Sequence, residues 1–278
     1  MHDGSSIRFE VIGSGPALLL PVNPVPVEGA LGEQMKQYGA DPALGRNLIE
    51  ELYDRFQVVA FDYEGHVFAA PKPETLTPEN IAADFLAVAD AAEMERFAYY
   101  GYSWLALAGF QLALRTDRLS ALAMGGWPPL DAPYAEMLRV TEASVAVSAA
   151  QQQQDGITAA ASEADEWSTT NLSVDQARQF LTLYRALQDF DDRAAQSQIT
   201  CPRLCFAGSA DVVEYSPQWG DVTVSISQPI ISRRAELEKL GWEVRILEGL
   251  NHVQAMQADK VLPILKPWLA DVLLTPED

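Results

Sequence analysis

The strongest constraint on this chain is the alternation of short apolar runs with longer runs whose apolar residues recur at helical spacing. Ile7–Ile12 alternates, Gly13-Ser14-Gly15-Pro16 turns the chain, and Ala17–Val22 follows as a continuous apolar run suited to a buried strand. Gln57–Asp62 is a third strand candidate and ends in a carboxylate. Thr77-Pro78-Glu79-Asn80 then supplies a cap and a proline at the first helical position. The apolar residues Ile81, Phe85, Val88, Ala89 and Ala92 that follow form one face for packing on a sheet. Strand Phe97–Gly101, helix Leu105–Arg115 and strand Leu119–Gly125 continue the alternation.

From Trp127 to Ser197 the pattern changes to Ala, Gln, Asp and Glu with no convincing strand, which predicts a helical cap over 127–197 inserted between strands. Gln151 to Gln154 within it reads as a solvated helix or loop. The alternation resumes with strand Arg203–Ala207, helix Ser232–Leu240, strand Glu243–Leu247 and a final helix from about Ala258 to Leu273. Residues 1–126 and 198–278 therefore form an α/β core, a mostly parallel twisted sheet with helices on both faces. Val212–Pro229 is long for a connection and is expected over the site or at an interface. No internal repeat is visible.

At 278 residues the chain can bury one sizeable core with room for an inserted subdomain. Its net charge of −20 disfavours nucleic acid or an anionic membrane as partner and reads first as solubility, then as attraction for cationic partners. Cys201 and Cys205 are the only cysteines and are placed in one strand. Four strand residues span about 13 Å, too far for a disulfide, so both read as apolar filler in a reducing compartment. Two cysteines and three scattered histidines make a structural zinc site improbable, and no metal is expected. Met1-His2-Asp3-Gly4 lacks the basic-then-apolar pattern of a signal peptide, and no apolar run approaches the ~20 residues that cross a bilayer. A cytoplasmic location is expected. Oligomeric state is open, a homodimer included.

The stretch Gly101-Tyr102-Ser103-Trp104-Leu105 carries the chemistry. A serine at a sharp strand-to-helix turn has its hydroxyl pushed into open space above a sheet, beside the amides of a helix start. A serine hydroxyl is a weak nucleophile until a base takes its proton, and that base needs a third group to orient it. In an open parallel sheet these partners come from loops at the carboxyl ends of other strands. The strand after the predicted cap ends Phe206-Ala207-Gly208-Ser209-Ala210-Asp211, and the next ends Leu247-Glu248-Gly249-Leu250-Asn251-His252.

The order Ser, Asp, His at successive strand ends resembles the α/β-hydrolase fold over nearly the whole chain, in its esterase, lactonase and haloperoxidase-like branch. The resemblance implies Ser103 as nucleophile, Asp211 as orienting acid and His252 as base, with no cofactor. It also implies an oxyanion hole from the Trp104 amide and one in the loop Pro21-Val22-Asn23-Pro24, where Asn23 is the matching donor. Asp62-Tyr63-Glu64-Gly65-His66 is similar to the family's Asp-x-x-Gly-His-Gly loop, with Val67 replacing the last glycine. Leu105 replaces the glycine that usually closes the elbow, so a packing neighbour is expected to give way, and Val22 removes glycine freedom beside the oxyanion hole.

Asp131, just past strand Leu119–Gly125, is the main rival acid, while Glu214 and Asp221 read as solvated loop charges and Asp62 as a turn former. His66 is expected to be structural and His2 a solvated terminus. Tyr102 and Trp127 are expected beside the pocket. The implied activity is hydrolysis of a small carboxylic ester, thioester or lactone through an acyl-enzyme on Ser103. The same scaffold also fits C–C cleavage, acyl transfer or a cyclisation or isomerisation, and a third class is a non-catalytic binding protein. The cap's mixed apolar and acidic content suggests a neutral, partly hydrophobic substrate over a strongly anionic one.

Overall fold

A computed structural model describes residues 1–153 and 172–274. The strands are β1 (Glu10–Ile12), β2 (Ala17–Leu20), β3 (Gln57–Ala60), β4 (Phe97–Tyr102), β5 (Leu119–Gly125), β6 (Arg203–Gly208), β7 (Val212–Tyr215), β8 (Val222–Ser225) and β9 (Trp242–Leu247). Before β6 come helices α1 (Gly29–Gln37), α2 (Leu44–Leu52), α3 (Tyr63–Ala69), α4 (Pro78–Ala91), α5 (Trp104–Ala113), α6 (Tyr134–Gln153), α7 (Val174–Ala186) and α8 (Asp192–Ala195). After β8 come α9 (Ser227–Ser232), α10 (Arg234–Lys239), α11 (His252–Ala255) and α12 (Ala258–Leu274).

Seven strands form one sheet in the order β1-β3-β2-β4-β5-β6-β9. β1 runs antiparallel to β3, and every other pairing in the sheet is parallel. Burial on both faces explains the continuous apolar strands. Leu18, Leu20, Val58, Ala60, Ala98 and Tyr100 face the core beneath α2 and α12, which contributes Val261, Leu265 and Trp268. Their neighbours Leu19, Val59, Phe97 and Tyr99 face the opposite core, filled by Phe85 of α4 and Leu107 and Phe110 of α5. Thr77 caps α4 by accepting from the Asn80 amide, as the sequence predicts.

Several boundaries differ from expectation. The first strand spans only Glu10–Ile12 rather than Ile7–Ile12, because only this part pairs with β3. Asp62 does not end β3; its side chain accepts from the Gly65 amide at 2.8 Å and caps α3. Cys201 lies ahead of β6 rather than within it, and both cysteines are free. The helix expected over Ser232–Leu240 is two short helices, interrupted at Arg233, whose backbone leaves the helical region at φ −100° and ψ 9°.

Between β5 and β6, α6 packs on α7, and no strand occurs among the described residues of 127–197. Gln151 to Gln153 end α6, while Gln154 lies outside the described residues. Val212–Pro229 folds into the antiparallel hairpin β7–β8 and the first half of α9. No helix among the described residues is long and apolar enough to cross a membrane.

Candidate active site

Ser103 sits between β4 and α5 at φ 57° and ψ −131°, a conformation rare for a residue with a side chain. The turn is held from both sides. The Ser103 amide donates to the Gly125 carbonyl at 2.8 Å, and the Ser103 carbonyl accepts from the Ala106 amide at 2.9 Å. Gly101 makes the sharp turn possible, since a Cβ there would lie 2.4 Å from the Leu105 carbonyl oxygen. Trp104 opens α5, so its amide has no acceptor within the helix.

Asp211 is fully buried in the loop after β6, and its Oδ2 lies 2.7 Å from Nδ1 of His252. A carboxylate only accepts, so this contact keeps the proton on Nδ1 and leaves Nε2 as the basic nitrogen. The loops bearing the two residues are tied together. The Ser209 amide donates to the Leu247 carbonyl at 2.9 Å, and the Ala210 amide to the Leu250 carbonyl at 3.0 Å. His252 itself opens α11, where Asn251 and Gln254 cap each other reciprocally, at 2.9 Å and 3.1 Å.

Ser103, Asp211 and His252 line one cavity of about 410 Å³. Its walls come from α3, α5, α6, α7 and the β7–β8 hairpin, which places Val213, Trp219 and Val224 over the site. A smaller cavity that Ser103 also lines is bordered by Asn23, Tyr102, Trp104 and Leu105. Glu64, Ser103 and Trp104 line both cavities.

No family model matches the sequence. The RutD protein of Klebsiella pneumoniae, named as a putative carbamate hydrolase, is 28% identical over 177 residues, 58% of this chain. That match spans 66% of the relative's length. Solved structures match nearly the whole chain. A thermophilic esterase from Thermogutta terrifontis aligns with TM-score 0.60 and 18% identity, covering 96% of this chain and 94% of its own. The enol-lactonase from Burkholderia xenovorans aligns with TM-score 0.57 and 18% identity, covering 97% and 96%. Epoxide hydrolases of the α/β-hydrolase superfamily, from metagenomes of hot environments, align with TM-score 0.55 and 15% identity, covering 98% and 95%. The chain has the α/β-hydrolase fold.

Within the α/β-hydrolase fold the other candidates fall as follows. Asp131 is away from the cavity, paired with Arg193 at 3.0 Å and Arg233 at 2.6 Å, so it cannot orient His252. Burial works against its ionisation, yet the two arginines hold its carboxyl below the usual range. Glu214 lies on β7 and Asp221 in the hairpin turn, and neither lines the cavity. Trp127 is buried and lines it, as expected. Tyr102 does not. Its hydroxyl donates to the His252 carbonyl at 2.8 Å and its ring meets the imidazole edge-on at 5.0 Å, so it supports the histidine from beneath.

His66 is structural: Nε2 lies 3.2 Å from the Ser5 hydroxyl and the ring stacks on Tyr63. His2 is not a solvated terminus. Its amide donates to Oδ1 of buried Asp84 at 2.6 Å, its Nδ1 lies 3.0 Å from the same oxygen, and Tyr63 donates to Oδ2 at 2.9 Å. A fully buried carboxylate needs such partners, and the start of the chain supplies them. At the elbow Leu105 is half-buried, lines the smaller cavity and accepts from the Tyr99 hydroxyl through its carbonyl at 2.7 Å.

The sequence reading missed Glu64 as a site residue. Its Oε1 accepts from Trp104 Nε1 at 3.0 Å, and it faces both cavities beside the serine turn. The side chain is exposed, and it lines both cavities. Burial raises its carboxyl above the ordinary range; the Trp104 hydrogen bond opposes the rise and the Asp62 charge adds to it.

Proposed function

We propose that this protein is a serine hydrolase that cleaves a small carboxylic ester, thioester or lactone. Ser103 attacks the carbonyl carbon as its proton passes to Nε2 of His252, while Asp211 holds the imidazole in the productive tautomer and stabilises the imidazolium. The Trp104 and Asn23 amides receive the oxyanion; one such donor is worth about 3 kcal/mol of transition-state stabilisation. His252 then returns the proton to the leaving group, and water releases the acyl group by the reverse sequence. The described helices of the 127–197 insertion, α6 and α7, line the pocket and contribute to substrate selection. Tyr102 serves as a positioning residue for His252.

The observation that carries this reading is a serine at a positive-φ elbow sharing one cavity with a His–Asp pair at 2.7 Å. The likeness in fold to an esterase and a lactonase supports the same chemistry. The RutD likeness adds carbamates to the substrates worth assaying, because a carbamate carbonyl is open to the same attack.

A panel of short-chain aryl esters, thioesters, lactones and carbamates tests the proposal. Wild type is expected to release acid and alcohol from at least one class, and Ser103→Ala to lose that turnover with its fold intact. Transfer of the acyl group to an added alcohol without net hydrolysis would point to an acyltransferase on the same residues. Binding without turnover across the panel would refute the enzymatic reading.

A further inference from the structure

Glu64 and Asp211 are the only acidic residues among the described residues lining the cavity that holds Ser103 and His252, and no Lys or Arg among them lines it. Asp211 is matched by His252. Glu64 has the Trp104 indole as hydrogen-bond donor, and no ion pair among the described residues includes it. The sequence from 154 to 171 contains no Lys or Arg either. The rest of the wall is strongly aromatic, with Phe68, Trp104, Trp127, Phe180, Tyr184 and Trp219.

We propose that this cavity selects an acyl substrate with a cationic head, an ammonium or quaternary ammonium group held by the Glu64 carboxylate and the surrounding aromatic rings. The proposal rests on the hydrolase reading only for the word substrate; the cation site itself does not depend on Ser103 being a nucleophile.

Three physical points converge on it. The Glu64 carboxylate presents accessible surface to the cavity and has no cation beside it among the described residues, so a bound cation meets the charge without displacing a protein partner. Aromatic faces attract cations through the ring quadrupole, most strongly where water is displaced. Helix geometry does not account for Glu64, since Asp62 already caps α3 and the Glu64 side chain reaches across to Trp104 in α5. Glu64 and Ser103 line the same two cavities, so a head group held by the carboxylate shares its space with the nucleophile.

The binding test uses choline and its uncharged isostere, in which a tert-butyl group replaces the trimethylammonium, titrated into Ser103→Ala by calorimetry. Choline is expected to bind at least about tenfold more tightly than the isostere, the scale of a desolvated cation–π and charge contact. Glu64→Gln, added to Ser103→Ala, is expected to remove most of that preference. Acetylthiocholine and the matching uncharged thioester are then compared as substrates of wild type, where kcat/KM is expected to favour the cation to a similar degree. Equal binding of the pair overturns the proposal, and because this comparison needs no change at Glu64 it survives any folding defect in the Glu64→Gln variant. A preference unchanged in a folded Glu64→Gln variant overturns the role of Glu64. Preferential choline binding with no ester cleaved by wild type upholds the cation site and refutes the hydrolase reading instead.

Discussion

Replacing Asp211 by Asn separates orientation of the imidazole from stability of the fold. Asp211 is fully buried, and its Oδ2 holds Nδ1 of His252 at 2.7 Å. Asparagine fits the same space but presents an NH2 group as readily as an oxygen. Its nitrogen can donate to Nδ1, which moves the ring proton to Nε2, the atom that must accept from Ser103. The charge that stabilises the imidazolium is also lost. Together these effects predict a fall in kcat of about ten-thousand-fold, or about 5.4 kcal/mol of barrier. Stability should move differently. Oδ1 of Asp211 has no hydrogen-bond partner among the described residues, so the carboxylate is buried with only half its accepting capacity used. Neutralising it removes a desolvation cost, and the melting temperature is expected to hold or rise. Turnover of the best ester and a thermal melt on the same preparation check both arms. A loss smaller than about tenfold in kcat would refute the orienting role, since the wrong tautomer alone should cost far more. A large drop in melting temperature would refute the account of the buried charge.

Ser103→Gly should abolish turnover yet raise the melting temperature. Relief of the φ 57° strain is worth about 1–3 kcal/mol against about 0.5–1 kcal/mol of added glycine entropy, a net gain readable by calorimetry. Tyr102→Phe removes the hydroxyl that donates to the His252 carbonyl, and should lower kcat by several-fold with KM little changed, checked by steady-state kinetics. Choline affinity should increase with pH. The Glu64 carboxyl is neutral below its raised pKa and charged above it, so binding strengthens as pH climbs through that value and then levels off. His252 and Asp211 face the same cavity and Asp62 neighbours Glu64 at the start of α3, so the dependence is read as a difference between two proteins. One is Ser103→Ala alone and the other is Ser103→Ala carrying Glu64→Gln as well, in which this part of the pH dependence should vanish.

The strands and the serine turn were legible because their signals are local. Leu18–Leu20 and Phe97–Tyr100 are apolar at every position, which only a sheet buried on both faces accommodates. The meeting of Ser103, Asp211 and His252 in one cavity follows from parallel topology, since successive strand ends share one edge of the sheet. The hairpin β7–β8 was signalled by alternation at Val222 and Val224 and by the turn Gly220-Asp221, but it was read only as a long connection. Tyr102 lines the smaller cavity beside Ser103, but its contact with His252 joins residues far apart in the chain, which no local signal announces. Glu64 and His2 were out of reach for a different reason. An acid in a first helical turn and a polar terminus both look solvated until distant residues, Trp104 and Asp84, are folded against them.

The central claim is that Ser103 is the nucleophile. A fluorophosphonate probe followed by peptide mass mapping tests it most directly. The account predicts a stoichiometric adduct on the peptide containing Ser103 in wild type and none on Ser103→Ala. Equal labelling of both proteins, or an adduct at another residue, would contradict it.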